Sequence, residues 1–288
     1  MSRYRIYAIS AMFIAIVSGC EKELDFKYKD IGLIPVIEGV VTCDGIAVSI
    51  TLTTPMGEPM DRVRRTDASV MVSDITSGKV YALHPDADGV FRSSESGVVG
   101  NVYRLSVERG GESYAAESPM FAPVEIEPLE FGWIKMPYDY VAVLQVSFSD
   151  DEAQTGECYW IRVYRNGEPY AWKVVTDNFA VAGRIDEMFM TSRKDTDAED
   201  DAEVLFDGDV MSVSVARIPS RIYDYLEALT GGGSNGPVVF EGNYCLGYFL
   251  AASVTSEYIV FRPGEIAEFS EDTNNYVGKT KSRYEYQE

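Results

Sequence analysis

Histidine, cysteine and long hydrophobic runs are scarce in this 288-residue sequence. The single histidine, His84, excludes most histidine-dependent catalysis and most zinc chemistry. The four cysteines are widely spaced and form no CxxC pair, so a metal cluster is not expected. The sequence has no G-x-S-x-G, H-E-x-x-H or phosphate-loop signature either. These absences predict a protein that is not an enzyme and that needs no cofactor.

Basic residues are also few. The chain has 25 Lys and Arg residues against 46 Asp and Glu residues, which gives a formal net charge of −21. Such a chain repels phosphate backbones, so no nucleic-acid partner is expected, and it lacks the polybasic patch that binds anionic lipid. Hydrophobic residues nevertheless make up 46% of the chain, enough for one or two buried cores.

The N-terminus has the features of an export signal. Arg3 and Arg5 precede an apolar stretch at residues 6–17, which is too short to span about 30 Å of hydrocarbon as a helix. The stretch ends in Val17-Ser18-Gly19-Cys20, which resembles the lipobox of bacterial lipoproteins. Residues 1–19 are therefore predicted to be a signal peptide, and Cys20 is predicted to carry the lipid that anchors the mature chain to a membrane. The alternatives are an ordinary secretory signal and a buried hydrophobic helix.

The residues after Cys20 bear on which membrane surface holds the protein. The run 21–25 reads Glu-Lys-Glu-Leu-Asp and resembles the acidic export signal of some Bacteroidetes lipoproteins. It predicts an outer-membrane protein exposed at the cell surface. The alternative is that these residues only form part of a solvated tether. We place this tether at residues 20–35.

Residues 36–118 show short strands separated by turns. Residues 36–41 are rich in β-formers, while Val48, Ile50 and Leu52 alternate with polar residues at period two. Glycine-containing turns follow at 76–78, 85–89 and 109–111. The pattern predicts an immunoglobulin-like β-sandwich.

Prolines at 119, 123 and 128 mark residues 119–128 as a linker. A second β domain is predicted at 129–263, because period-two alternation returns at 142–148 and again at 211–215. It contains one short helix, in which Ser220 is the expected N-cap and the glycines from Gly231 form the end. A dense apolar run at 246–254 predicts a buried strand, and 264–288 is predicted to be an acidic tail. The expected fold class is all-β.

Several of these segments, taken in order, resemble the DUF4249 family of Bacteroidetes outer-membrane lipoproteins. They are the run at 20–25, the strand sequence PVIEGVV at 35–41, the element GNVYRL at 100–105, the helix sequence SRIYDYL at 220–226 and the strand sequence LGYF at 246–249. The resemblance implies a mostly β lipoprotein encoded beside TonB-dependent receptors, and hence such a receptor as a partner. It implies no catalytic residues.

Two groups of residues are candidate sites. One is an acidic loop whose carboxylates suit Ca²⁺, although a solvated loop is the default interpretation. The other is a set of aromatic rings near turns of the second domain, which suit stacking on a sugar or a protein surface, although core packing claims most such rings. The acidic candidates are Asp195, Asp197, Glu199, Asp200, Asp201 and Glu203, and the aromatic candidates are Trp133, Trp172, Tyr138 and Tyr170.

Three cysteines remain after lipidation, so at most one disulfide forms within the chain. Cys158 and Cys245 each begin a strand-like run, and the sequence leaves open whether they pair or act as separate buried thiols.

The sequence thus predicts a non-catalytic, lipid-anchored surface protein that captures a ligand or serves a TonB-dependent transporter. A structural or adhesive surface module is the alternative. A surface-polymer hydrolase ranks third, because its best carboxylate group, at 150–152, is one of many in so acidic a chain.

Overall fold

The computed structural model describes residues 32–268 except 56–57, 60–62, 137–139, 150–155, 182, 194–203 and 232–235. This part of the chain contains seventeen β-strands, one α-helix and a short 3-10 turn. The predicted all-β class is therefore confirmed. The signal peptide, Cys20 and residues 269–288 of the predicted acidic tail lie outside the described residues.

Nine strands form one continuous sheet, in the order β14-β7-β6-β3-β4-β5-β2-β1-β15. Seven of them come from the first half of the chain and two from the second. Their bounds are β1 (Pro35–Thr42), β2 (Gly45–Leu52), β3 (Ser69–Asp74), β4 (Lys79–Pro85), β5 (Phe91–Ser93), β6 (Val102–Arg109), β7 (Glu112–Pro119), β14 (Glu241–Gly242) and β15 (Leu246–Ala251).

This sheet folds over on itself as a sandwich. The strand alternation seen in the sequence puts Ile37 and Val48 on its inner face together with Leu105 from the opposite layer. The layers also meet through the buried Ser118 of β7, whose hydroxyl accepts a hydrogen bond from the Ala251 amide of β15 at 2.9 Å. The strand β15 is thus an integral part of this first sandwich.

Two four-stranded sheets form a second sandwich, in the orders β11-β10-β13-β16 and β12-β9-β8-β17. Their inner faces enclose a separate core that includes Phe148, Tyr159 and Phe261. The strand bounds are β8 (Glu130–Lys135), β9 (Tyr140–Ser149), β10 (Cys158–Arg165), β11 (Glu168–Thr176), β12 (Arg184–Arg193), β13 (Val210–Ile218), β16 (Thr255–Val260) and β17 (Ala267–Glu268).

The helix α1 (Ser220–Thr230) joins the two sandwiches. Its apolar stripe of Ile222, Tyr225 and Leu226 is buried in the same core as β15 and as Trp160 on the outer face of β10. No helix in the described part of the chain has both the length and the hydrophobicity to cross a bilayer.

One detail of the helix differs from expectation. Pro219 is the N-cap, no side chain caps the first turn, and Ser220 is the first helical residue. The fixed φ of proline suits a helix start, so the side-chain cap expected at Ser220 is wrong. The expected end is confirmed, because Gly231 is the C-cap and its amide bonds back to the Glu227 carbonyl.

The strand β15 has an unexpected partner. It lies within the range 129–263 that the sequence assigns to the second domain, yet it pairs in parallel with β1, with Val36 opposite Leu246. The short β14 likewise pairs with β7. The boundaries at 36–118, 119–128 and 129–263 remain predictions, and the strand pairing shows that two segments cross between the sandwiches.

Candidate ligand-binding cleft

The outer face of the β11-β10-β13-β16 sheet carries several polar and aromatic residues. On β10, Ile161 and Val163 point into the second core. Because side chains alternate along a strand, Trp160, Arg162 and Tyr164 point the other way. This outer face is turned toward the β1–β2 turn and β15 of the first sandwich, and the cleft forms between them.

Strand register places four side chains in one row across this face. Arg162 of β10 is opposite Trp172 of β11 on one side and Ser214 of β13 on the other. Ser214 is in turn opposite Ser256 of β16. Directly opposed residues have Cβ atoms about 5 Å apart, so Arg162 and Ser214 are immediate neighbours and Ser256 lies one strand further along the row.

A cleft of about 300 Å³ opens over this row. Its floor is the sheet, and its walls are the β1–β2 turn and the link between β15 and β16. This volume is at the lower end of the roughly 300–1,000 Å³ range of small-molecule sites. The lining residues are Thr42, Cys43, Asp44, Arg162, Tyr164, Ser212, Val213, Ser214, Val254 and Ser256.

Two buried polar atoms at the cleft have no protein partner. Neither the Nε of Arg162 nor the Oγ of Ser214 makes a hydrogen bond within the described part of the chain. The Arg162 guanidinium instead lies over the Trp160 ring, 4.7 Å from its centroid. A buried polar atom without a partner costs free energy, so both side chains have a hydrogen-bonding capacity that the described residues leave unmet.

An aromatic cluster of Trp160, Trp172 and Tyr248 packs beside Arg162. The Trp160 ring meets Trp172 edge-on at 6.3 Å and Tyr248 of β15 edge-on at 5.6 Å, measured between centroids. Burial and the carboxylate of Glu38 raise the pKa of the Tyr248 hydroxyl, whereas Arg162 lowers it, with a net rise. Tyr248 is therefore neutral at physiological pH.

The three described aromatic candidates do not lie together. Trp133 of β8 is buried in the second core with 6% of its surface exposed, because its strand belongs to the other sheet. Tyr170 is half-buried against the same core. Trp172 is 38% exposed and lies beside Arg162. Tyr138 lies outside the described residues.

The acidic candidates Asp195, Asp197, Glu199, Asp200, Asp201 and Glu203 also lie outside the described residues, as do the carboxylates at 150–152. Among the residues that the structure does describe, no three His, Cys, Asp or Glu side chains come together as a metal-ligand group. The calcium site remains a prediction.

The three remaining cysteines are free thiols. Burial raises the pKa of Cys158 to about 11 and that of Cys245 to about 12, so both stay protonated and behave as small apolar side chains. Cys43 is exposed in the β1–β2 turn and its sulfur lies 3.9 Å from the Ser253 hydroxyl. This contact ties the two walls of the cleft together.

Comparisons with known proteins leave the family open. No family model matches the chain, and no curated protein matches it. Among solved structures, a two-domain fibronectin type III segment of chicken tenascin has 12% identity and a TM-score of 0.21, covering 80% of this chain and 100% of that one. The FN1–FN3 domains of chicken CNTN1 have 9% identity and a TM-score of 0.21, covering 75% of this chain and 66% of that one.

Proposed function

We propose that this chain is a non-catalytic ligand-capture protein, anchored by lipid on Cys20 at the outer face of an outer membrane. The cleft between the β1–β2 turn and the outer face of β10 and β13 is its binding site. The observation that carries the proposal is that two residues lining this cleft, Arg162 and Ser214, each hold a buried polar atom without a hydrogen-bond partner among the described residues.

The composition of the cleft favours binding over catalysis. Asp44 is the single carboxylate among its described lining residues, whereas hydrolysis of a glycosidic bond requires two carboxyl groups at a set separation. The cleft does offer hydroxyl groups, a guanidinium and a tyrosine ring, which are groups that hold a polar ligand without transforming it.

The location rests on the N-terminal sequence and on the resemblance described above. Two or three acyl chains on Cys20 anchor a protein stably, and the anchor raises the local concentration of the site at the membrane, so that a modest affinity suffices. A TonB-dependent transporter that receives the captured ligand is the partner that the resemblance suggests.

Filling the cleft tests the capture function. Ser256 is exposed on β16 and lines the cleft, so Ser256→Trp adds a large ring there at a position where strands accept aromatic residues. We expect wild-type protein to show ligand-dependent thermal shifts in a library of mono- and oligosaccharides and small metabolites, and Ser256→Trp to lose them. Ser69→Trp is the matched control, because Ser69 is an exposed strand residue of the first sandwich away from the cleft.

Capture by a site elsewhere would appear as ligand-dependent thermal shifts that survive Ser256→Trp, and this would refute the cleft as the site.

The lipid anchor is tested separately by cell fractionation, in which Cys20→Ala is expected to leave the membrane pellet. Co-purification of a large barrel protein with the wild-type chain from detergent extracts would support the transporter partner. Self-assembly alone would favour the adhesive alternative.

A further inference from the structure

We propose that the ligand of the cleft is an acidic saccharide, whose carboxylate is held by Arg162 and Ser214. This inference rests on the proposed function and names the chemical class that the same site takes. It follows from the cross-strand row of Trp172, Arg162, Ser214 and Ser256, from the hydroxyl groups that line the cleft and from the net charge of the molecule.

Arginine is suited to a carboxylate by shape as well as by charge. Its planar guanidinium presents a rigid fork of N–H donors that matches the two oxygens of a carboxylate. The Arg162 guanidinium lies over the Trp160 ring, 4.7 Å from its centroid, and the buried Nε–H has no acceptor within the described part of the chain. The positive charge is thus presented without an internal counter-ion at the Nε position.

The second anchor is Ser214, directly opposite Arg162 on β13. Its hydroxyl is buried and has no hydrogen-bond partner among the described residues, so it is free to donate to a ligand oxygen. Both atoms are closed to solvent in this structure, so the two side chains must shift slightly to admit a carboxylate. The carboxylate then accepts from Arg162 Nε with one oxygen and from Ser214 Oγ with the other, which satisfies both donors at once.

The rest of the cleft suits the ring of a sugar. Thr42, Ser212 and Ser256 contribute hydroxyls, and Asp44 contributes an acceptor for ligand hydroxyl donors. Tyr164 lines the cleft and supplies an aromatic surface for the apolar side of a sugar ring. A ligand with a carboxylate and several hydroxyls uses all of these groups, whereas a bare organic acid uses only the two anchors.

Charge argues for a single carboxylate rather than a phosphate or sulfate polymer. The chain has a net charge of −21, and Asp44 lies in the cleft itself. A polyanion would be repelled by both, while one carboxylate held directly by the guanidinium gains more from Arg162 than it loses to the more distant charges.

Matched ligands test the proposal on the full mature chain. Calorimetry and NMR titration compare methyl β-glucuronide with methyl β-glucoside, which differ only at C6, and 3′-sialyllactose with its sialic acid methyl ester, which differ only in the free carboxylate. N-acetyl-glycylglycine provides a carboxylate without a sugar. We expect each acidic sugar to bind at least about tenfold more tightly than its neutral partner and than the peptide acid.

Two substitutions assign the anchors. Arg162→Lys keeps the charge but removes the fork, and Ser214→Ala removes only the hydroxyl; each is expected to abolish most of the tenfold preference while weakening neutral-sugar binding much less. Arg64→Gln is the control. Arg64 is an exposed arginine that does not line the cleft, and its guanidinium donates a hydrogen bond to the Asp88 carbonyl. A preference unchanged in Ser214→Ala and Arg162→Lys would overturn the assignment.

The outcomes separate this inference from the proposed function. Equal binding of acidic and neutral sugars that Ser256→Trp abolishes would refute the carboxylate anchor and leave ligand capture standing. Equal binding of the peptide acid and the acidic sugars would refute the saccharide. Binding that none of the cleft variants changes would refute both.

Discussion

At the scale of single residues, Gly247 makes the closest backbone contact among the glycines that the structure describes. Its φ is +106°, and a Cβ there would overlap the carbonyl oxygen of Ile37 on the neighbouring strand. Its amide donates to the Tyr225 hydroxyl at 2.9 Å. Only glycine combines this backbone conformation with so close an approach of β15 to β1.

Gly247→Ala is therefore expected to destabilise the protein by about 3 kcal/mol or more, since backbone strain and a backbone clash act together. Urea unfolding followed by tryptophan fluorescence measures the change. Gly208→Ala is the control for strain alone, because Gly208 has a φ of +93° but open space around its Cβ position. We expect it to cost about 1–2 kcal/mol. Equal losses in the two variants would show that the clash with Ile37 is relieved cheaply.

Single residues also mark the limit of what the sequence reveals about the site. The alternation at 159–165 indicates that Arg162 lies on the opposite face from Ile161 and Val163. Nothing in the sequence shows that Ser214 is its cross-strand neighbour, because register between distant strands depends on the assembled sheet. The sequence likewise does not show that Trp133 is buried, because this depends on which sheet its strand joins.

At the scale of elements, most strands and turns follow from local patterns. The dipeptide Asn166-Gly167 is typical of a two-residue hairpin turn, which requires positive φ at both positions, and both residues adopt it in the turn between β10 and β11. The strand β9 departs from its local pattern, because period-two alternation with polar Gln145 and Ser147 is typical of a half-solvated strand, yet both residues are buried. The Ser147 hydroxyl is paired with Asp186 and Arg184 of β12, which is why a polar residue is accepted there.

The docking of α1 on β15 can be tested with two tyrosines of one helix. Tyr225 is buried and its hydroxyl accepts the Gly247 amide hydrogen, whereas the Tyr223 hydroxyl donates to the exposed Glu227 side chain. Tyr225→Phe leaves a buried amide without a partner and is expected to cost about 1–3 kcal/mol. Tyr223→Phe is expected to cost less than about 0.5 kcal/mol. Chemical denaturation of both variants checks this, and similar losses would mean that the helix–strand hydrogen bond contributes little.

At the scale of the whole molecule, the two sandwiches are not independent in sequence. The first sandwich receives β14 and β15 from the second half of the chain, and α1 shares its core. No local sequence pattern predicts that β1 and β15, whose paired residues lie 210 positions apart, form a parallel pair. The sequence therefore correctly predicts a buried strand at 246–254 but does not identify its partner.

Cutting the chain at the linker tests this dependence. A fragment of residues 33–128 lacks β15, so the apolar inner face and the backbone edge of β1 stay exposed, and we expect it to aggregate or to lack a cooperative unfolding transition. A fragment of residues 33–268 retains all described strands and is expected to unfold cooperatively. Thermal melts by circular dichroism distinguish them. A stable, monomeric 33–128 fragment would show that β15 is dispensable.

The position of β15 near the end of the sequence also affects how the protein folds during synthesis. As the polypeptide emerges N-terminus first, β1 must wait until nearly the whole sequence has appeared before its outer edge is covered. Closing so large a loop is slow, and an uncovered edge invites pairing with other nascent chains. Cells that produce this protein would therefore need to shield that edge, for example with a holding chaperone, from the moment of synthesis to the moment of closure.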